Sequence, residues 1–287
     1  MTSNGLPFGK GHGTENDFLL VPDPHNQLAF HPHDVIRLCD RRSGIGADGL
    51  LRVIRSAAHP DATTMASEAE WFMDYWNPDG TTAQMCGNGI RVFARYLVDT
   101  GRALPGRLAI ATRAGIRHVD IDTNDNITVD MGRPVLPGPD GINVTAAGHS
   151  WPALHVDVGN PHAVALVDSL DHPGDLRTSP LVEPTTAYPH GVSVEFVTVL
   201  GPGHLALRVH ERGVGETRSC GTGAVAAVTA VRHLRGAHAD RYTVDVPGGR
   251  LAVTVQSDGT MRLSGPAVLV AHGFAYPDRS TRPTPPT

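Results

Sequence analysis

From Ala224 to Val231 the side chains are all alanine or valine except Thr229. A segment that is apolar on every side predicts a buried helix. A second helical pattern follows Cys86, where Ile90, Phe93, Ala94 and Leu97 recur on one face and Val92 and Tyr96 widen it. Arg91 and Arg95 mark the polar edge that is expected to face outward. Gly101 and Gly236 supply the stops. Around both helices the apolar runs shorten to strand length: Trp71–Tyr75, Arg117–Ile121, Ile127–Met131, Val192–Leu200, Leu205–His210, Tyr242–Val246, Arg250–Val255 and Met261–Ser264. Turn signals separate them at Asn77-Pro-Asp-Gly80, Asn124-Asp-Asn126, Pro247-Gly-Gly249 and Ser257-Asp-Gly259.

The two helices begin alike, with Met85-Cys-Gly-Asn-Gly89 and Ser219-Cys-Gly-Thr-Gly223 standing nearly half a chain apart. A weaker echo at a similar offset pairs Gly13-Thr-Glu-Asn-Asp-Phe18 and its apolar run with Gly159-Asn-Pro-His162 and its own. Such a period argues for two related domains and not for a solenoid, whose repeats are far shorter. The expected fold is α/β (α+β), with two pseudo-symmetric domains that each wrap a strand barrel around a central helix. The boundary is expected between Gly132 and Pro139, giving domains 1–133 and 134–266. A C-terminal strand, 267–277, is expected to complete the first, and the Pro-, Ser- and Thr-rich tail 278–287 is expected to be disordered.

Composition narrows the function. The 287 residues carry a net charge of −5 and no basic run longer than Arg41-Arg42, which argues against nucleic acid or an anionic membrane as partner. A small molecule is expected instead. Lys10 is the one lysine beside 23 arginines, so a Schiff-base cofactor has almost no anchor. No C-x-x-C or H-E-x-x-H spacing suggests a metal, and no cofactor is expected. Cys39, Cys86 and Cys220 are too few and too scattered for a disulfide framework, which fits a reducing cytoplasm. Met1 to Phe18 lacks a signal-like apolar core, and no helical run is long enough to cross a bilayer.

A thiol at a helix start meets unpaired N–H groups and the positive end of the dipole, which are expected to lower its pKa toward neutrality. The glycines beside it let backbone amides approach a carboxylate. Two such turns face to face would grip one amino-acid carboxylate and place a sulfur on each side of the α-carbon. One thiolate then removes the α-proton while the other thiol returns a proton to the opposite face. Cys39, with no glycine after it, reads as structural, and the histidines other than His162 read as surface residues.

These segments resemble the diaminopimelate epimerase family over nearly the whole chain. The resemblance rests on Lys10-Gly-His-Gly-Thr-Glu-Asn-Asp-Phe18, Gly44-Ile-Gly-Ala-Asp-Gly49, Asn77-Pro-Asp-Gly80, Met85–Gly89, Gly159-Asn-Pro-His162 and Glu211–Gly223. It implies that Cys220 takes the proton from the L,L substrate and Cys86 supplies one on the way to the meso product, in lysine and peptidoglycan precursor synthesis. Gly87, Asn88, Gly221 and Thr222 would hold the reacting end, while Asn16, Asn77, Asn160, Ser193, Glu211 and Arg212 would contact the substrate elsewhere. Arg212 suits the distal carboxylate. His162 and Glu211 would adjust the two thiols, and a cytoplasmic homodimer is expected. Ser193 stands where the family usually has Asn, and it lacks the amide donors. It therefore supports an alternative, a racemase of the same scaffold acting on another amino acid. Proline-racemase relatives usually read Met-Cys-Gly-His where this chain has Asn88. A thiol redox protein or a non-enzymatic binder would not need both glycine turns and both sulfurs.

Overall fold

The computed structural model describes residues 5–122, 126–138, 141–236 and 239–276. Asn124, Asp125, Pro139, position 277 and the tail 278–287 of the sequence-based expectations lie outside the described residues. The first half holds strands β1 (Leu6–Gly13), β2 (Asn16–Pro22), β3 (Gly49–Arg55), β4 (Trp71–Trp76), β5 (Arg107–Thr112), β6 (Gly115–Ile121) and β7 (Ile127–Gly132), with helices α1 (Pro32–Cys39) and α2 (Gly87–Asp99). The second holds β8 (Ile142–Ala146), β9 (His149–Asp157), β10 (Pro161–Leu166), β11 (Leu181–Glu183), β12 (Ser193–Gly201), β13 (His204–Glu211) and β14 (Gly215–Thr217) before helix α3 (Gly221–Arg235). After it come β15 (Arg241–Val246), β16 (Gly249–Val255), β17 (Met261–Gly265) and β18 (Val268–Ala275).

The two halves repeat one plan. In the first, hairpin β1–β2 runs parallel through β2 to β3, hairpin β3–β4 runs parallel through β4 to β5, and β5–β6–β7 is a meander. In the second, β9–β10 joins β12 in parallel, β12–β13 joins β15 in parallel, and β15–β16–β17 is the meander. The second parallel crossover of each half contains its central helix, because parallel neighbours need a long connection. β7 pairs with β17 and joins the halves into one sheet, and β18 returns to pair with β1.

Both central helices lie in one apolar core. It includes Ile90, Phe93, Ala94 and Leu97 of α2, Val225, Ala226, Val228 and Val231 of α3, and strand residues from both halves. α3 ends on Gly236 at φ +84°, a conformation suited to glycine. One expectation fails: Arg91 does not mark a polar edge but is wholly buried, because the sheet surrounds α2. Its guanidinium turns back along the helix, the direction in which Cα–Cβ bonds tilt, and donates to Gly87 O at 3.1 Å. Arg95 keeps the expected exposure in part and pairs with Asp99 at 3.4 Å.

Candidate active site

Cys86 and Cys220 are the N-cap residues of α2 and α3, both in extended backbone. Cys86 Sγ accepts the N–H of Gly89 at 3.3 Å, and Cys220 Sγ accepts that of Gly223 at 3.3 Å. Each sulfur thus takes the place of the usual capping oxygen. The helix tips meet: a Cβ placed on Gly221 would lie 3.2 Å from Gly87 Cα. Glycine at Gly221 allows this approach, and the contact brings the unpaired first-turn amides of both helices together.

That place is a cavity of about 320 Å³. Every expected site residue except His162 lines it: the two cysteines, Gly87, Asn88, Gly221 and Thr222 at the helix tips, and Asn16, Asn77, Asn160, Ser193, Glu211 and Arg212 around them. Asn16 donates Nδ2–H to Asp48 at 2.9 Å, and Asn88 donates to Asn16 Oδ1 at 3.1 Å. Asn77 sits in its expected turn, its amide donating to Thr81 Oγ1 at 3.0 Å. Ser193 Oγ accepts the backbone N–H of Arg212 at 3.3 Å, which leaves its own O–H free to donate. The Arg212 side chain is exposed, with one bond to the carbonyl of His190 at 3.5 Å. Glu211 accepts from Thr217 Oγ1.

His162 lies behind the cavity wall, fully buried, with Nδ1 2.6 Å from Glu195 Oε1. Glu195 packs against the first turn of α3, where Gly223 leaves room for its carboxylate. His162 Nε2 and Glu195 Oε2 have no hydrogen-bond partner. The other histidines are not all at the surface: His210 is buried beside Arg212, and burial pushes its pKa down.

The thiols differ from expectation in sign. Burial outweighs the helix ends and pushes Cys86 up to about 11, opposed by the N–H groups of Gly89 and Asn88 and by the Arg91 guanidinium. Burial also raises Cys220 well above the ordinary thiol range, and the carboxylates of Glu211 and Glu195 push the same way. Glu211 itself rises to about 7, chiefly through burial. Arg91, drawn down to about 10 by burial, stays a cation at neutral pH. Cys39 sits in a separate apolar cluster with Val35, Leu38 and Leu50, where burial pushes it up to about 12.

Sequence reasoning gave no functional role to Thr14, Asp48, Arg91, Glu195 or Ser219. Thr14 Oγ1 and Ser219 Oγ are 2.6 Å apart and bond the first half to the second. Thr14 and Asp48 lie inside motifs that carried the resemblance, and Ser219 directly precedes Cys220. Those neighbourhoods were the available signal; hydropathy alone placed Arg91 outside.

The family model described as diaminopimelate epimerase matches residues 8–137 and 154–270. A diaminopimelate epimerase of Streptomyces coelicolor is 56% identical over 277 residues, covering 94% of this chain and 96% of the relative. One from Thermobifida fusca is 47% identical over 272 residues, covering 93% and 97%. Among solved structures, a hydroxyproline epimerase from Agrobacterium vitis with bound trans-4-hydroxy-L-proline superposes with a TM-score of 0.69 at 14% identity, covering 97% and 94%. A phenazine biosynthesis protein of the PhzF family from Bacillus anthracis gives 0.66 at 16% identity, covering 96% and 100%; both likenesses concern the fold alone. With a family model spanning both halves and relatives near half identical along nearly their whole length, this chain belongs to the diaminopimelate epimerase family.

Proposed function

We propose that the protein is an isomerase that interconverts L,L- and meso-diaminopimelate, with Cys86 and Cys220 as its two acid–base groups. What carries this reading is the meeting of two thiol-capped helix tips at one cavity, in a chain whose relatives are named for that reaction. The substrate carboxylate sits at the first-turn amides of Gly87, Asn88, Gly221 and Thr222, where the helix ends favour an anion. In the L,L direction the α-proton passes to the Cys220 thiolate and the electron pair stays on the α-carbon, spread into the carboxylate. The Cys86 thiol then delivers its proton to the opposite face and is left as the thiolate. No electron is gained or lost, and the reverse reaction exchanges the roles.

Burial disfavours a thiolate at either sulfur, so the capping N–H groups and the ammonium of the bound amino acid must offset it. Glu211 opposes ionisation of both thiols when charged, and Glu195 opposes that of Cys220. His162 acts through its contact with Glu195. Arg212 takes the distal carboxylate, with Ser193 holding its backbone N–H, and Asn16, Asn77 and Asn160 complete the grip. Arg212→Ala is expected to lower kcat/KM on L,L-diaminopimelate by several kcal/mol, about a hundredfold or more. Full activity in that variant would favour the racemase alternative that Ser193 raises.

The domain limits 1–133 and 134–266, with β18 completing the first domain, are proposed on the β18–β1 pairing. A homodimer is proposed on the apolar strip Val268, Val270 and Phe274, exposed along β18 and continued by Tyr276. The cytoplasm is proposed as its place because three scattered cysteines suit a reducing compartment. No helix among the described residues is long and apolar enough to cross a membrane.

A further inference from the structure

Behind the sulfurs, four side chains form a run of hydrogen bonds whose direction is set from its two ends. Asp48 is the first end. Its Oδ2 accepts from Asn16 Nδ2 at 2.9 Å and from the N–H of Asp17 at 3.2 Å, and its Oδ1 accepts from Arg41 at 2.6 Å. A carboxylate can only accept, so the Asn16 amide turns its nitrogen to Asp48 and its oxygen inward. That oxygen receives Asn88 Nδ2 at 3.1 Å and faces Cys86 Sγ at 3.9 Å.

Arg91 is the other end. A guanidinium can only donate, and Arg91 gives Nη2–H to Asn88 Oδ1 at 3.0 Å and Nη1–H to Gly87 O at 3.1 Å. The Asn88 nitrogen is thereby turned away from Arg91, toward Asn16 and toward the carbonyl of Ser219 at 3.0 Å. Ser219 is the residue before Cys220, so the run crosses from the turn of one thiol to the backbone of the other. The run is buried except at its Asp48 end: Arg91 is fully buried, Asn88 is 1% exposed and Asn16 is 7% exposed, while the Asp48 side chain is 25% exposed. Arg91 is also costly to keep there, since it is a buried cation whose Nε has no partner. An apolar side chain would fill the same space but could not orient an amide.

We propose that Asp48 and Arg91 are positioning residues for the epimerisation: an acceptor-only end and a donor-only end hold the Asn16 and Asn88 amides in one orientation and so fix the separation of the two sulfur-bearing turns. This rests on Cys86 and Cys220 being the acid–base pair. Neither Asp48 nor Arg91 touches the substrate; each acts through an asparagine.

The test compares Asp48→Ala with Asp48→Asn, and Arg91→Met with Arg91→Lys, in the full chain. Three quantities are measured: kcat and KM on L,L-diaminopimelate, the pH midpoint for alkylation of Cys86 by iodoacetamide read by mass spectrometry, and the thermal unfolding midpoint. In Asp48→Asn the amide oxygen still accepts from Asn16, so kcat is expected to stay within about threefold, whereas in Asp48→Ala it is expected to fall about 10²-fold, more than KM rises. The Cys86 midpoint is expected to move down in Asp48→Ala alone, because Asn16, then held only through Asn88, can draw its oxygen away from the sulfur, and losing an acceptor of the S–H favours the thiolate. Arg91→Lys, which keeps donors, is expected to recover part of what Arg91→Met loses. Equal losses in Asp48→Ala and Asp48→Asn, or an unmoved Cys86 midpoint in a folded Asp48→Ala, would overturn the proposal. If Asp48→Ala fails to fold, a loss of about tenfold or more in Asp48→Asn overturns it instead. The alkylation midpoint needs no substrate, so a wild-type enzyme inert toward diaminopimelate would count against the proposed function while the midpoints still decide the role of Asp48.

Discussion

Burial pushes all three cysteines upward, yet only Cys86 and Cys220 have backbone N–H donors at the sulfur and a cavity beside it. That difference separates a structural thiol from one that can exchange protons. Cys86→Ala and Cys220→Ala are each expected to lower the epimerisation rate by about 10²- to 10⁴-fold, with Cys39→Ala close to wild type. Rates for the three purified variants check this, and a comparable loss at Cys39 would contradict the assignment. Glu211 supplies a second residue-scale outcome. Its charge opposes ionisation of both thiols, so Glu211→Gln is expected to move both alkylation midpoints down in pH. The cysteines were legible because the Cys-Gly-x-Gly turn is repeated and carries its own chemistry. Arg91 was not, because hydropathy treats an arginine as surface whatever its bonds, and the reading of depressed thiols failed because burial is invisible in one sequence.

At the scale of elements, the helices α2 and α3 and eight strands were readable from periodicity, with ends shifted by a residue or two. The strand β1 was not. It carries Gly9, Gly11 and Gly13 at alternate positions, which places all three on one face. Cβ atoms there would lie 3.0 Å from Tyr96 Cε2, Val92 Cγ1 and Arg91 Nη2 respectively, so this face is smooth in order that α2 can lie against the backbone. A strand whose core face is glycine gives no hydrophobic alternation to read. The same close approach governs the helix tips. A Cβ on Gly221 would meet Leu263 Cδ2 at 2.8 Å and Gly87 Cα at 3.2 Å, whereas one on Gly87 would meet Leu263 at 3.1 Å and Gly221 Cα at 3.5 Å. Gly221→Ala is therefore expected to cost more activity than Gly87→Ala, by spreading the two tips, and steady-state kinetics on the pair would check the order.

For the whole molecule, the repeat read from two short turns extends to the strand plan, hairpin by hairpin, but the β7–β17 junction and the return of β18 to β1 depend on pairings between distant segments. The halves also meet where Gly248 lies against the Thr14 carbonyl and a Cβ there would run into it. Stability should carry the mark of the desolvated Glu211 carboxyl. Glu211 has a folded pKa of about 7, above its ordinary 4.5, so the native state binds more protons in that window and stability falls as pH rises through it. Denaturant unfolding of Glu211→Gln beside wild type is expected to show the variant gaining relative stability from pH 5 to pH 8, about the limits of that window.

The claim that two thiols on opposite sides of one carbon exchange its proton is tested most directly in deuterium oxide. L,L-diaminopimelate is incubated with wild type, Cys86→Ala and Cys220→Ala, and the α-positions are followed by NMR. Wild type is expected to form the meso isomer with solvent deuterium at the inverted carbon, and neither variant is expected to invert it at a comparable rate. Inversion without deuterium uptake, or wild-type inversion in a chain lacking either sulfur, would contradict the two-thiol account.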